Sequence, residues 1–145
     1  MLGHIGDSRC YRLRGTVFQQ ITKDHSLLQE QIDAGIITPE QALTSLNKNL
    51  VTRALGVEDA VMLDVSEHRT EAEDLYLMCS DGLSDMVKDE DIAGIMLGDA
   101  SLEQKAKQLI EAANGAGGRD NISVLLVLAK QASVKRSLFA RILGK

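Results

Sequence analysis

At 145 residues the chain has the length of one domain and can bury roughly 70% of its unfolded surface. Its hydrophobic content is an ordinary 44%, but aromatics make up only 3% and Trp is absent, so any core is built from Leu, Ile, Val, Ala and Met. The net charge of −5, spread over interspersed charges, argues against a binder of nucleic-acid phosphate and points to an ordinary solvated surface.

Met1 to Ile5 reads as the end of a strand, followed by a tight turn at Gly6-Asp7-Ser8-Arg9. Cys10 to Arg14 and Thr16 to Ile21 read as the two strands of a short hairpin around Gly15. Thr22-Lys23-Asp24-His25 leaves the hairpin, and Ser26 with Gln29 has the form of a capping box. The helix it opens is expected to run to about Ala34 and to stop at Gly35. Thr38 then caps a second helix, with the only proline, Pro39, at its first position. These two short polar helices read as an excursion from the core of the kind that contacts substrates.

Leu50 to Leu55 is expected to return as a strand ending at Gly56. Apolar residues at Val61, Leu63 and Val65 alternate as in a half-buried strand. The apolar run Leu75 to Cys79 reads as a buried strand and as the antiparallel partner of that segment, across a Glu-Ala-Glu-Asp turn. Asp89 is expected to cap a helix through Leu97. Ser101 with Gln104 starts a longer one, with Leu102, Ala106, Leu109, Ile110 and Ala113 on one face and Asn114-Gly115 at its end. Ile122 to Leu128 is the most apolar strand, and the tail, residues 131–145, alternates basic and apolar residues as a solvated terminal helix does. Membrane contact by that tail is the lesser reading. Cys10 and Cys79 fall among apolar neighbours and read as buried thiols, with no Cys/His spacing that suggests zinc. With no long apolar run and no signal peptide, a cytoplasmic location is expected.

Three short acids share one setting. Asp7, Asp81 and Asp120 each begin or end a predicted strand beside small residues, in Gly6-Asp7-Ser8, Ser80-Asp81-Gly82 and Gly118-Arg119-Asp120-Asn121. One such Asp is most often a turn residue that bonds its own backbone. Three of them shift the balance: if the strand ends converge, the carboxylates repel one another in a low-dielectric pocket unless a cation lies between them. Short acids on strand ends are also how oxygen ligands are presented to Mg²⁺ or Mn²⁺.

Five motifs in order carry a family resemblance: Gly6-Asp7-Ser8-Arg9, Thr22-x-Asp24-His25-Ser26, Thr52-Arg53-Ala54-Leu55-Gly56, Cys79-Ser80-Asp81-Gly82-Leu83-x-Asp85 and Gly118-Arg119-Asp120-Asn121-Ile122-Ser123-Val124. Together they resemble the PPM (type 2C) metal-dependent protein serine/threonine phosphatases, most of all the compact bacterial members. The resemblance spans about residues 3–130 and implies an α+β fold, the C-terminal half of an α-β-β-α layered sandwich of antiparallel sheets flanked by helices. It divides the chain into a phosphatase portion, residues 1–130, with a flap at about 26–50, and the tail, residues 131–145. It further implies that Asp81 and Asp120 hold one metal of a binuclear Mg²⁺ or Mn²⁺ centre and that Asp7 with Asp81 holds an accessory third ion. Activity would be hydrolysis of phosphoserine and phosphothreonine in proteins by a metal-activated water, on the substrates of a Ser/Thr kinase. Asn121 would support Asp120 or a metal-bound water. The Ser45-Leu46-Asn47-Lys48 stretch departs from the His-Pro often found there in the family.

The family's other acids and its phosphate-gripping arginine belong to an earlier half of the domain, and no second Asp-Gly occurs here. A truncated domain is therefore expected, one that exposes sheet edges and apolar faces. The alternative function is that of an incomplete, inactive fragment acting as a binding or regulatory remnant. Arg9 and Arg119 are expected to pair with nearby carboxylates more than to bind phosphate. His25 is expected to be a hydrogen-bonded turn residue, and His4 and His68 have no partner pattern. A Ser-hydrolase reading of Gly6-Asp7-Ser8 is rejected, because Arg9 follows Ser8 and no Asp-x-x-His occurs.

Overall fold

The computed structural model describes residues 1–42, 45, 50–56 and 60–130. Its centre is an antiparallel sheet in the order β3-β2-β5-β6, formed by β2 (Arg9–Arg14), β3 (Val17–Gln20), β5 (Leu75–Cys79) and β6 (Val124–Leu128). Strand β1 (Leu2–His4) pairs with β4 (Asp64–Ser66) in a separate two-stranded ladder.

Register explains the layering. Directly opposed residues share a face, so Tyr11, Leu77 and Leu126 form one cross-strand row and Leu13, Leu75 and Leu128 the next. Against these rows pack α3 (Asp81–Ser84), α4 (Asp89–Leu97) and α5 (Leu102–Gly115), through Leu83, Ile92, Met96, Leu109 and Ala113. Tyr11 also stacks on Phe18, with ring centroids 4.9 Å apart. Cys10 and Cys79 are free and buried, and burial pushes their thiols up to about 11 and about 12.

The caps follow from sequence. Ser26 Oγ accepts the Gln29 N–H at the start of α1 (Leu27–Asp33), and Gly35 beyond its end stands at φ +68°. Thr38 and Gln41 exchange bonds at the start of α2 (Pro39–Ala42), as Ser101 and Gln104 do before α5.

Four expectations need correction. The strand over Leu50 to Leu55 is reduced to a single bridge between Val51 and Ser26. The strand expected from Val61 shrinks to β4 and pairs with β1, because both edges of β5 are taken by β2 and β6. Lys88, not Asp89, is the cap residue of α4, so the three acids Asp89, Glu90 and Asp91 occupy its first turn, where the helix dipole favours them. On α5 the buried face is Lys105, Leu109 and Ala113, while Leu102 is exposed. The Lys105 ammonium is held by the Met96 carbonyl, so the lysine stem serves as core. The tail, residues 131–145, and part of the Ser45-Leu46-Asn47-Lys48 stretch lie outside the described residues. Among the described residues no helix is long and apolar enough to cross a membrane.

Candidate metal centre

The same register brings the three aspartates to one end of the sheet. Arg9, Cys79 and Val124 are opposed across β2, β5 and β6. Asp7 lies two residues before Arg9, Asp81 two after Cys79, and Asp120 four before Val124. Antiparallel pairing thus places the start of β2, the end of β5 and the start of β6 at one edge.

Two of these loops are sewn together. Ser80 Oγ donates to the Asn121 carbonyl at 3.0 Å and accepts the Ser123 N–H at 3.0 Å, and the Ser80 N–H donates to the Ser123 carbonyl at 3.1 Å. Gly82 packs directly on this seam. A Cβ there would meet the Asn121 carbonyl oxygen in a clash and would lie 3.0 Å from its carbonyl carbon and 3.5 Å from that of Asp120. The glycine thus serves close approach. It sits within the short helix α3 and is not one of the glycines at positive φ. Each acid is also fixed locally: Asp81 Oδ1 accepts the Gly82 N–H at 2.8 Å and Asp120 Oδ1 the Asn121 N–H at 2.6 Å. It is the backbone of Asn121, through its N–H, that holds Asp120.

Asp7 joins by charge. Burial raises its carboxyl above the ordinary range, and the Asp81 charge raises it further. Burial also raises Asp85, one turn along from Asp81, with Asp81, Asp7 and Asp24 adding to it. Asp24 is compensated: Arg9 Nε donates to its Oδ1 at 3.1 Å and Nη2 to its Oδ2 at 2.7 Å, a bidentate pair. Burial works against the Arg9 charge, but the Asp24 bonds more than restore it. Arg9 is thus a stiffening partner, as expected, and its Nη1 also reaches the Tyr11 hydroxyl, which bonds Asp89. Arg119, by contrast, has no ion-pair partner among the described residues.

No ion pair among the described residues compensates Asp7, Asp81, Asp85 or Asp120. Uncompensated carboxylates at one edge, with no thiolate or imidazole among them, are the donor set that Mg²⁺ and Mn²⁺ take, so the residues fit such an ion. They do not form a finished cage: among the described residues no three acid, His or Cys side chains stand close enough to hold a metal by themselves. Beside the site is a cavity of about 540 Å³, lined by Ser8, Arg9, Ser80 and Ser123 with Met78 and Leu125, but by none of the three aspartates.

Asp24 and Asp85 stand within the sequence motifs with no expected role of their own. The signal was the density of acids in Asp81-Gly82-Leu83-Ser84-Asp85 and the Arg9 that must answer Asp24. His25 is a hydrogen-bonded turn residue, as expected, and the partner the sequence did not supply is Asp64, at 2.9 Å from its Nε2. His4 bonds the Ser8 carbonyl and His68 the Ser66 hydroxyl.

No protein-family model matches the chain. It is 42% identical over 124 residues to protein phosphatase PhpP of Streptococcus pneumoniae, an alignment that covers 86% of this chain and 50% of that protein. The chain therefore spans about half the length of the curated relatives it matches first. Among solved structures, the serine/threonine phosphatase of S. agalactiae superposes with a TM-score of 0.83 at 38% identity, over 88% of this chain and 53% of that one. The catalytic domain of the phosphatase PstP, solved with two manganese ions, matches with a TM-score of 0.73 at 43% identity, over 89% of this chain and 53% of that one. By sequence identity and by superposition, the chain belongs to the PPM-type serine/threonine phosphatases, of which it spans about half the length.

Proposed function

We propose that this chain supplies the acidic edge of a metal-dependent phosphatase that hydrolyses phosphoserine and phosphothreonine in proteins, with Asp81, Asp120 and Asp7 as ligands of Mg²⁺ or Mn²⁺. The observation that carries the reading is the shared edge: three strand ends meet there, with their carboxylates free of ion pairs among the described residues. Asp81 and Asp120 would hold one ion across the Ser80–Asn121 seam, and Asp7 with Asp81 an accessory one. When bound, the ions supply a water acidified for attack and neutralise charge on the phosphoryl oxygens. The chain's own residues fix the geometry: Arg9 locks Asp24 beside the site, and Gly82 lets the two ligand loops touch. The phosphatase portion is residues 1–130, the C-terminal part of the domain, with residues 26–50 as a flap over the substrate and residues 131–145 as a tail. Its substrates would be phosphoproteins made by a Ser/Thr kinase, in the cytoplasm.

The test is turnover of p-nitrophenyl phosphate with Mn²⁺ by the domain as it occurs in the cell. Asp81→Asn should lower kcat at least about 100-fold, consistent with the loss of about 3 kcal/mol of transition-state stabilisation. Retention of full activity, or activity indifferent to a chelator, would refute the assignment. A second reading, a chain that binds without catalysing, is favoured by the absence of a closed three-ligand cage among the described residues. The same assay on the 145 residues alone decides between them: EDTA-sensitive turnover by that chain rules the second reading out.

A further inference from the structure

The ring of His25 is buried and is used at both nitrogens. Nδ1 accepts the Gly6 N–H at 3.1 Å, and Nε2 lies 2.9 Å from Asp64 Oδ2. A backbone N–H can only donate, so Nδ1 is the bare nitrogen and the ring proton sits at Nε2, where it is donated to the carboxylate. Asp64 is suited to the contact: its bond to His25 holds its carboxyl below the ordinary value, and Arg53 Nη1 stands 3.4 Å from its other oxygen.

The backbone closes the same clasp. The His25 N–H donates to the Gly6 carbonyl at 2.9 Å, so Gly6 is held through both its N–H and its C=O. Gly6 stands at φ +101°, a conformation open to glycine and strained for side-chain-bearing residues, so this grip fixes the path of the chain into Asp7. On the other side of the turn, His4 Nε2 donates to the Ser8 carbonyl at 2.7 Å, with its ring centroid 4.9 Å from that of His25. An imidazole flanks the Gly6-Asp7-Ser8 turn on each side.

We propose that His25, oriented by Asp64, is a positioning residue that sets Asp7 at the sheet edge by accepting the Gly6 N–H at Nδ1. Its consequence for metal binding rests on the metal-centre reading above, whereas the clasp itself does not. Metal-site partners one step removed from the ion typically contribute about 10–100-fold to affinity.

Nuclear magnetic resonance on the ¹⁵N-labelled phosphatase domain as it occurs in the cell, with this chain as its C-terminal part, tests both. In the unsubstituted chain the His25 ring should show the Nε2-protonated pattern and the Gly6 amide proton should exchange slowly. Added Mn²⁺ should broaden the amide signals of Asp7, Asp81 and Asp120 together. His25→Phe, which keeps a ring but no acceptor, should free the Gly6 amide and raise the Mn²⁺ needed to broaden Asp7 about 10-fold or more. His25→Asn, which keeps an acceptor oxygen near the Nδ1 position, should restore most of both. A ring protonated at Nδ1 in the unsubstituted chain overturns the proposal even if His25→Phe fails to fold. An unchanged Gly6 amide in a folded His25→Phe chain overturns it as well. If Mn²⁺ broadens none of the three aspartates in the unsubstituted chain, the metal reading fails, and the ring pattern with Gly6 exchange still decides the clasp.

Discussion

Two glycines that look alike in sequence differ in what surrounds them. Gly82 and Gly94 both sit in helices, but only Gly82 has backbone against the place where a Cβ would stand; Gly94 has nothing within 4 Å. Gly82→Ala must push the Asn121 carbonyl away and should cost about 2 kcal/mol, the usual scale of overpacking. Gly94→Ala should instead stabilise by up to about 1 kcal/mol, because alanine is the better helix residue in open space. Urea unfolding of the two variants checks this, and equal behaviour would mean that the seam between the Asp81 and Asp120 loops is slack. At this scale the positions of the three aspartates were legible, since each acid beside a small residue at a strand end marks itself. The role of Gly82 was not, because it depends on a carbonyl that the chain delivers from 39 residues further on. The same holds for His25, whose acceptor nitrogen is set by Asp64 and by the peptide of Gly6.

Most strands and helix caps could be read locally, since β2, β3, β5 and the caps of α1, α2 and α5 depend on neighbours within a few residues. Pairing could not be read that way. Alternation at Val61, Leu63 and Val65 reports a tendency to be a strand but not which edge is free, and both edges of β5 are taken by β2 and β6. What fixes the far end of the sheet is a polar clamp that sequence patterning does not reveal. Arg14 on β2 reaches the fully buried Asp74 through Nε and Nη2, both at 2.7 Å, and Glu71 through Nη1 at 2.8 Å. Asp74 also accepts the Glu71 N–H and the Tyr76 hydroxyl. The Arg14 bonds outweigh burial and hold the Asp74 carboxyl well below its ordinary value. A depressed folded value means that the stabilisation is present above the unfolded value, about 4, and is lost as pH falls below it toward the folded one. Asp74→Asn should therefore lower the thermal midpoint at neutral pH and flatten the acid limb of the stability curve below about pH 4. Thermal melts of both chains between neutral pH and the acid limb measure it, and parallel curves would show that the clamp carries no pH dependence.

At the scale of the whole molecule, helices cover the sheet on one face only among the described residues. Helices α3, α4 and α5 bury the rows through Tyr11 and Leu13, while the opposite rows, Cys10–Met78–Leu125 and Arg12–Tyr76–Val127, carry Met78, Leu125 and Val127 at 38%, 55% and 44% exposure. Strands β3 and β6 each leave one edge unpaired among the described residues. An apolar sheet face next to open edges is a surface that seeks a partner, and in water it draws dyes, copies of itself or more chain. Relatives twice as long contain more chain than this to set against such a face. The 145 residues alone should therefore bind 8-anilinonaphthalene sulfonate and sediment with a weight that rises with concentration. Leu125→Lys together with Val127→Lys should suppress both effects while leaving the far-ultraviolet circular dichroism intact, since both side chains already point away from the core rows. A chain that stays monomeric at all concentrations, melts cooperatively and leaves the dye dark would show that this face is stable in water as it stands.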